Sequence, residues 1–197
     1  IYKKVFFSIS ENNVRSCLNG ILFDIKGNII YTVASDGHRL SIYKLVIVNS
    51  NIFEQIIIPS KNFSDIVNIF QKYEDVKIFI CSNYVKFVSH EIVVKSNLLV
   101  GKYPEYMNIF FNIFGNYLIC FRKDILNIFL RVSVLEKKND CIVKMTLIGM
   151  SFNLSTYTDI KEYVEDEFNV LYYNGGDITI AFNSKYIIDI FTAIVSE

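Results

Sequence analysis

NIIYTVASDGHRLSIYKL, residues 28–45, holds two alternating runs joined at Asp36-Gly37, with His38, Arg39 and Leu40 leading the chain away from the turn. Alternation of apolar and polar residues is the period of a half-buried strand, so the stretch is expected to form a hairpin. Asp-Gly supplies positive φ at both centres of a tight primed turn, which would fix the register locally. Gly37 has no side chain and stands beside an imidazole and a guanidinium. The turn is therefore expected to leave a small notch at its tip.

Working outward, the same period recurs. Residues 18–25, 28–35 and 38–46 read as a three-strand meander, and 55–58 as a short strand running into a helix. Residues 75–81, 84–89 and 92–98 read as a second meander, and further strands are expected at 117–121, 141–148, 151–156, 163–172 and 178–182. Helical spacing marks 1–10, 60–73 (capped by Ser60, with Phe63, Ile66, Val67 and Phe70 on one face), 121–138 (capped near Lys123-Asp124) and 183–196 (capped by Asn183). The helix starts lie about 60 residues apart, and three helices share a core: VNIF at 67–70, LNIF at 126–129, IDIF at 188–191. That period is the mark of one supersecondary module used repeatedly. The expected fold class is α+β, with helices packed on antiparallel sheets in repeated modules. The pattern is incomplete at both ends.

The 197 residues are 52% hydrophobic and 20% charged with mean hydropathy +0.32, the profile of one large or two modest globular domains. Apolar runs are short and broken, so no membrane partner is expected, and the first residues do not have the pattern of a secretory leader. Cys17, Cys81, Cys120 and Cys141 form no C-x-x-C pair, and three lie in strand-like runs. They read as reduced core thiols of a cytoplasmic protein. With His38 and His90 the only imidazoles, no metal and no cofactor are assigned. The bases comprise 16 Lys and four Arg, and Ile, Asn, Phe and Tyr are abundant, as in an AT-rich coding sequence. Lysine counts alone therefore carry little weight.

Asp36 and His38 could be taken for an acid–base pair. Their sequence neighbours, however, offer only Ser35 and Ser41 as nucleophiles, and no G-x-S-x-G, H-E-x-x-H or P-loop frame occurs. The chain is not expected to be an enzyme. His90 reads as a turn residue between two strands.

Four segments, and more weakly a fifth at the last helix, resemble the bacterial sliding clamp family, the β subunits of DNA polymerase III. LNGILF at 18–23 is similar to the family's LNG-x-LF, VASDGHRL at 33–40 to ATDGHRLA, and IIIPSKNFSDIVNIF at 56–70 to its I-V-P-x-K strand and helix. KSNLLVGKYPEYMNIF at 95–110 is similar to SKL-x-G-x-FPDY-x-x-V, and IAFNSKYIIDIF at 180–191 to GFN-x-x-Y-x-x-D-x-L. The resemblance implies a three-domain subunit of a dimeric, head-to-tail ring around duplex DNA. On it, residues 1–112 are a middle domain lacking its first strand, and 113–197 a third domain lacking its final strands. The implied partners are double-stranded DNA, bound without sequence preference, and the replicative polymerase, clamp loader and repair proteins, which dock by a short peptide motif. The alternative is a stand-alone or degenerate α+β interaction module without DNA tethering.

By resemblance, the peptide-binding pocket falls on Leu18, Ser35, Gly37, His38, Arg39 and Leu40, together with Pro104, Asn108 and Ile109. Leu18, Leu40, Pro104 and Ile109 would give an apolar floor, and His38 and Arg39 donors at the rim. Asn108 stands where the family commonly has a basic residue, which removes a salt bridge there. The end of the helix at 121–138 is implied to meet a neighbouring subunit through Val134 and Leu135.

Charge sorts with the helices. The four helical segments hold ten cations and four anions, a net of +6, leaving −6 for the rest of a neutral chain. Helices that line a hole around phosphates should be the basic part. The residues expected to face DNA are Lys3, Lys4, Arg15, Lys61, Lys72, Arg122, Lys123, Arg131 and Lys185.

Overall fold

The alternation in residues 20–59 builds a four-stranded antiparallel sheet. The computed structural model describes residues 2–10, 12–48, 51–110, 115–135, 141–157 and 163–194, and the chain divides into two units, Ile1–Phe110 and Phe111–Glu197.

The first unit opens with α1 (Tyr2–Val5), continued by a 3-10 turn at Phe6–Ser8. The helix expected over 1–10 is thus cut short. Val5, Phe6 and Phe7 are weaker helix formers, and Val5 is buried in the core. A second 3-10 turn, Ser16–Asn19, takes the residues expected to start the first strand. The meander is β1 (Gly20–Lys26), β2 (Ile29–Ser35) and β3 (Leu40–Val46), and β4 (Phe53–Pro59) pairs on the other side of β1, giving the order β3-β2-β1-β4. Gly20 pairs with Pro59, and a Cβ on Gly20 would lie 2.6 Å from the Ile58 carbonyl oxygen, so the strands meet there only because the side chain is absent.

α2 (Ser60–Phe70) follows β4 directly. Pro59, not Ser60, takes the cap position and gives no side-chain cap bond. Its ring presets φ at −53°, and Ser60 becomes the first helical residue. Phe63, Ile66 and Phe70 are buried against Ile21, Phe23, Ile25, Ile56 and Ile58, and each such side chain contributes about 1.5–3 kcal/mol. The opposite face of the same sheet is also covered: Leu22, Val33 and Ile57 pack with Leu18, Tyr103 and Tyr106. Burial on both faces is why β1 reads as a nearly unbroken apolar run. A second sheet, in the order β5-β6-β7, comprises β5 (Lys77–Ile80), β6 (Tyr84–Ser89) and β7 (Ile92–Asn97). His90 sits in the β6–β7 turn at φ 48°. The unit ends with a single helical turn absent from the sequence expectation, α3 (Met107–Phe110).

The second unit repeats the plan. After β8 (Leu118–Ile119) come α4 (Arg122–Val132) and a 3-10 turn at Ser133–Leu135. Phe121 holds the cap position that was expected near Lys123-Asp124, and the rest of that expected helix lies outside the described residues. The meander is β9 (Ile142–Ile148), β10 (Ser151–Tyr157) and β11 (Tyr163–Asn169). The run expected over 163–172 breaks at buried Val170, and its end becomes β12 (Tyr172–Tyr173), which pairs with β8. β13 (Ile178–Asn183) pairs with β9 and leads into α5 (Ser184–Ala193). Asn183 caps α5 as expected, its side-chain oxygen accepting the Lys185 N–H at 3.0 Å.

The order β11-β10-β9-β13 reproduces β3-β2-β1-β4. In each sheet the strand entering a helix pairs with the first strand of the meander, Pro59 opposite Gly20 and Asn183 opposite Ile142. The shared four-residue cores occupy equivalent places. Phe70 and Phe129 are buried, and Phe191 packs against the second core.

Candidate functional site

The tip of the β2–β3 hairpin is a four-residue loop, Asp36–Arg39, closed by the Ser35–Leu40 pair. It is not the two-residue primed turn expected from Asp-Gly. Gly37 alone has positive φ, at 95°, and Asp36 does not. The Asp36 side chain makes the difference: Oδ1 accepts the N–H groups of His38 and Arg39, both at 2.9 Å, which opens the turn into a wider loop. Ser35 Oγ braces it from inside, accepting the Gly37 N–H at 3.1 Å and donating to the Arg39 carbonyl at 2.8 Å.

Arg39 was expected to offer donors at the rim. Instead its Nε donates to Asp36 Oδ2 at 3.0 Å, and its guanidinium lies 5.7 Å from the Phe7 ring centre. With its side chain only 12% exposed, it holds the loop together. His38 is exposed. The cation beside Gly37 is Arg15: a Cβ on Gly37 would lie 3.1 Å from Arg15 Nη2. This regroups Arg15, which the sequence reading placed with the DNA-facing set. Asn13 and Asn19 clasp the segment that carries it, by Asn13 N–H to Asn19 Oδ1 at 2.7 Å and Asn19 Nδ2 to the Asn13 carbonyl at 3.0 Å. Asn13 Nδ2 then donates to the Asp36 carbonyl at 3.2 Å, tying segment to hairpin.

Beneath the loop lies the apolar floor. Leu18 is fully buried, and Leu40, half-buried, packs into the same cluster with Tyr103, Tyr106 and Met107. Tyr103 and Tyr106 face inward and leave Pro104 exposed between them. Burial, then the nearby Cys17 thiol, pushes the Tyr103 hydroxyl well above its ordinary value, against a smaller lowering by the Ser35 backbone. The Tyr106 hydroxyl donates to Asp24 Oδ2, on the same face of β1 as Leu22, where Lys26 Nζ also lies 2.9 Å away. Burial works to raise the Asp24 pKa, but hydrogen bonds from Tyr106, Lys26 and Gln55 outweigh it, and the carboxyl titrates below its ordinary value. Tyr106 is raised, by burial first and then by the hydrogen bond and charge of Asp24. Asn108 and Ile109 follow on α3, both exposed.

The remaining cations divide by environment. Lys61 and Lys72 are exposed on and just past α2, and Lys4 is half-buried on α1. Lys123 and Lys185 are exposed in the second unit. Arg122 and Arg131 are engaged within that unit: Arg122 Nη1 donates to the Phe191 carbonyl of α5 at 2.7 Å, and Arg131 Nε pairs with Asp166 of β11. Val134 is 75% exposed. The side chains of Lys3 and Leu135 lie outside the described residues. All four cysteines are free thiols. Among the described residues no cluster could hold a metal ion, and no helix is long and apolar enough to cross a membrane.

What the fold defines is a repeat-built α+β scaffold, with a side-chain-free notch at a hairpin tip. The chain belongs to the DNA polymerase III beta subunit family: the central-domain profile matches residues 1–105 and the C-terminal-domain profile residues 109–197. The beta sliding clamp of Buchnera aphidicola subsp. Acyrthosiphon pisum is 28% identical over 196 residues, 99% of this chain and 53% of that protein. That of Staphylococcus epidermidis is 30% identical over 193 residues, 97% of this chain and 51% of that protein. A crystal structure of the DNA polymerase sliding clamp from Pseudomonas aeruginosa with ligand superposes with a TM-score of 0.93 at 25% identity, covering 100% of this chain and 54% of that one. The chain spans about half the length of the curated relatives it matches.

Proposed function

We propose that the chain is the middle and third-domain portion, residues 1–112 and 113–197, of a DNA polymerase processivity clamp. It acts in the cytoplasm without catalysis, as part of a ring on duplex DNA, and docks polymerase, clamp-loader and repair proteins through a short peptide motif. The observation that carries this reading is the convergence at Gly37. A side-chain-free position, held at positive φ by Asp36 and Ser35, stands beside Arg15 in a unit whose floor is Leu18 and Leu40. Such a notch accepts an apolar side chain of a linear peptide. Two anchors at about 1.5–3 kcal/mol each plus hydrogen bonds, less ordering costs, correspond to micromolar affinity, about −8 kcal/mol.

The test is titration of the chain with a Gln-Leu-Ser-Leu-Phe peptide. Saturable binding in the micromolar range, competed by the unlabelled peptide, supports the reading; no binding at millimolar peptide overturns it. The alternative, an interaction module without DNA tethering, draws support from the engagement of Arg122 and Arg131 within the second unit. Duplex binding that is absent even at low salt would favour it.

A further inference from the structure

We infer that the hydrogen bond from Tyr106 to Asp24 positions the proline-bearing wall of the notch, and that peptide docking depends on it; this rests on the docking reading above. Residues 98–106 form neither strand nor helix. Their backbone is tied at the start, where the Leu98 N–H donates to the Asn83 carbonyl at 3.0 Å and the Leu99 N–H to the Ile57 carbonyl at 2.8 Å. From residue 100 to 106, no backbone hydrogen bond joins the segment to the sheet among the described residues. The Lys102–Glu105 ion pair is local and exposed, so it adds little. What remains is the burial of two tyrosine rings and the polar contacts of their hydroxyls, of which the Tyr106 hydroxyl on Asp24 Oδ2 is the one made to a carboxylate.

The tie is well founded. Asp24 is 2% exposed in the middle of β1, a strand paired on both sides, and Lys26 shares the accepting oxygen at 2.9 Å. Hydrogen bonds to an ionised acceptor are the stronger kind, and a buried one has no water to exchange with. Tyr106 lies two residues after Pro104 and one before α3, so one phenol fixes both the proline and the start of the turn carrying Asn108 and Ile109. Ring packing alone is non-directional and leaves the segment free to shift along the sheet. A peptide would then have to order that wall as it binds, at a cost in affinity.

Tyr106→Phe removes the hydroxyl and keeps the ring, and Asp24→Asn keeps an acceptor without the charge. Two measurements on the whole chain decide. Backbone amide exchange in the ligand-free protein should quicken about tenfold across residues 99–109 in Tyr106→Phe, while the β1–β2 ladder amides keep their rates. The dissociation constant of the Gln-Leu-Ser-Leu-Phe peptide should rise about three- to tenfold in Tyr106→Phe and less in Asp24→Asn, whose amide oxygen still accepts, and the double variant should fall short of the product of the two effects, because both changes act on one bond. Unchanged exchange across 99–109 in Tyr106→Phe overturns the tie. Faster exchange with unchanged peptide affinity overturns its coupling to docking. If the unsubstituted chain fails to bind the peptide, the docking reading falls, and the exchange arm still decides whether Tyr106 holds the segment.

Discussion

Arg15 and Gly37, 22 residues apart in sequence, stand side by side: the Arg15 guanidinium lies 3.1 Å from the point a Cβ on Gly37 would take. Space and backbone angle therefore act together at one position. Any side chain at 37 must displace a cation and also adopt φ 95°, a region that L-residues rarely occupy. Gly37→Ala is expected to lower stability by about 1–3 kcal/mol through backbone strain, measured by urea denaturation. Gly37→Trp is expected to abolish peptide binding in a protein whose circular dichroism is unchanged. Retained affinity in that folded variant contradicts the placement of the notch.

The floor can be tested apart from the rim. Leu40→Ala is expected to weaken peptide binding by about 1–3 kcal/mol through lost apolar contact. Lys185→Ala, in the second unit, should leave the affinity unchanged. Calorimetric titration of both variants separates the two roles, and equal losses in both would count against the assignment of Leu40.

Stability should fall at both ends of the pH scale for one shared reason. The Asp24 pKa is lowered in the folded protein, so its contribution is present above the unfolded value of about 3.9 and lost as pH falls through the folded value. Tyr106 is raised, so its contribution is present below the unfolded value of about 10 and lost as pH rises through the folded one. In Tyr106→Phe the alkaline loss should shrink and the acid loss should become shallower. Denaturant midpoints across the pH range check this, and identical profiles for the variant and the parent chain would refute it.

Duplex DNA should bind weakly, without sequence preference, and with affinity falling steeply as salt rises. Asp166 neutralises Arg131, so Asp166→Asn should release one cation and steepen the slope of log affinity against log salt by about 0.9. Fluorescence anisotropy with a random-sequence duplex at several salt concentrations measures it. An unchanged slope would remove Arg131 from the DNA-facing set.

Much of the fold was legible because period and punctuation agree. Asn183 before an apolar-periodic run is a cap by chemistry, and it caps α5. The recurrence of Phe70, Phe129 and Phe191 at similar spacing showed a repeat that the two matching strand orders bear out. What escaped depends on contacts between distant residues or on one side chain's choice of partner. Asp36 could have adopted positive φ or bonded the next two amides, and only the structure shows the second. Arg15 sat outside every periodic segment. The signal that places it is the Asn13–Asn19 clasp, and paired asparagines in an asparagine-rich chain do not stand out. Arg131 and Asp166 belong to elements whose proximity no periodicity reports. α3 is a single turn, too short to carry a period.

The sheet β3-β2-β1-β4 is packed on both faces, whereas the sheet β11-β10-β9-β13 keeps Ile142, Ile148, Tyr157 and Tyr163 exposed on one. This sets unequal limits on sequence drift. In the first sheet a replacement must conserve volume at the buried positions of β1, and freedom lies on the flanking strands at positions such as Lys44, Val46 and Phe53. In the second, alternate positions along β9 and β11 can change polarity without touching a core. Lineages that accumulate substitutions under mutational bias should therefore diverge faster on the exposed face of the second unit's sheet than along β1, the central strand of the sheet that carries the notch.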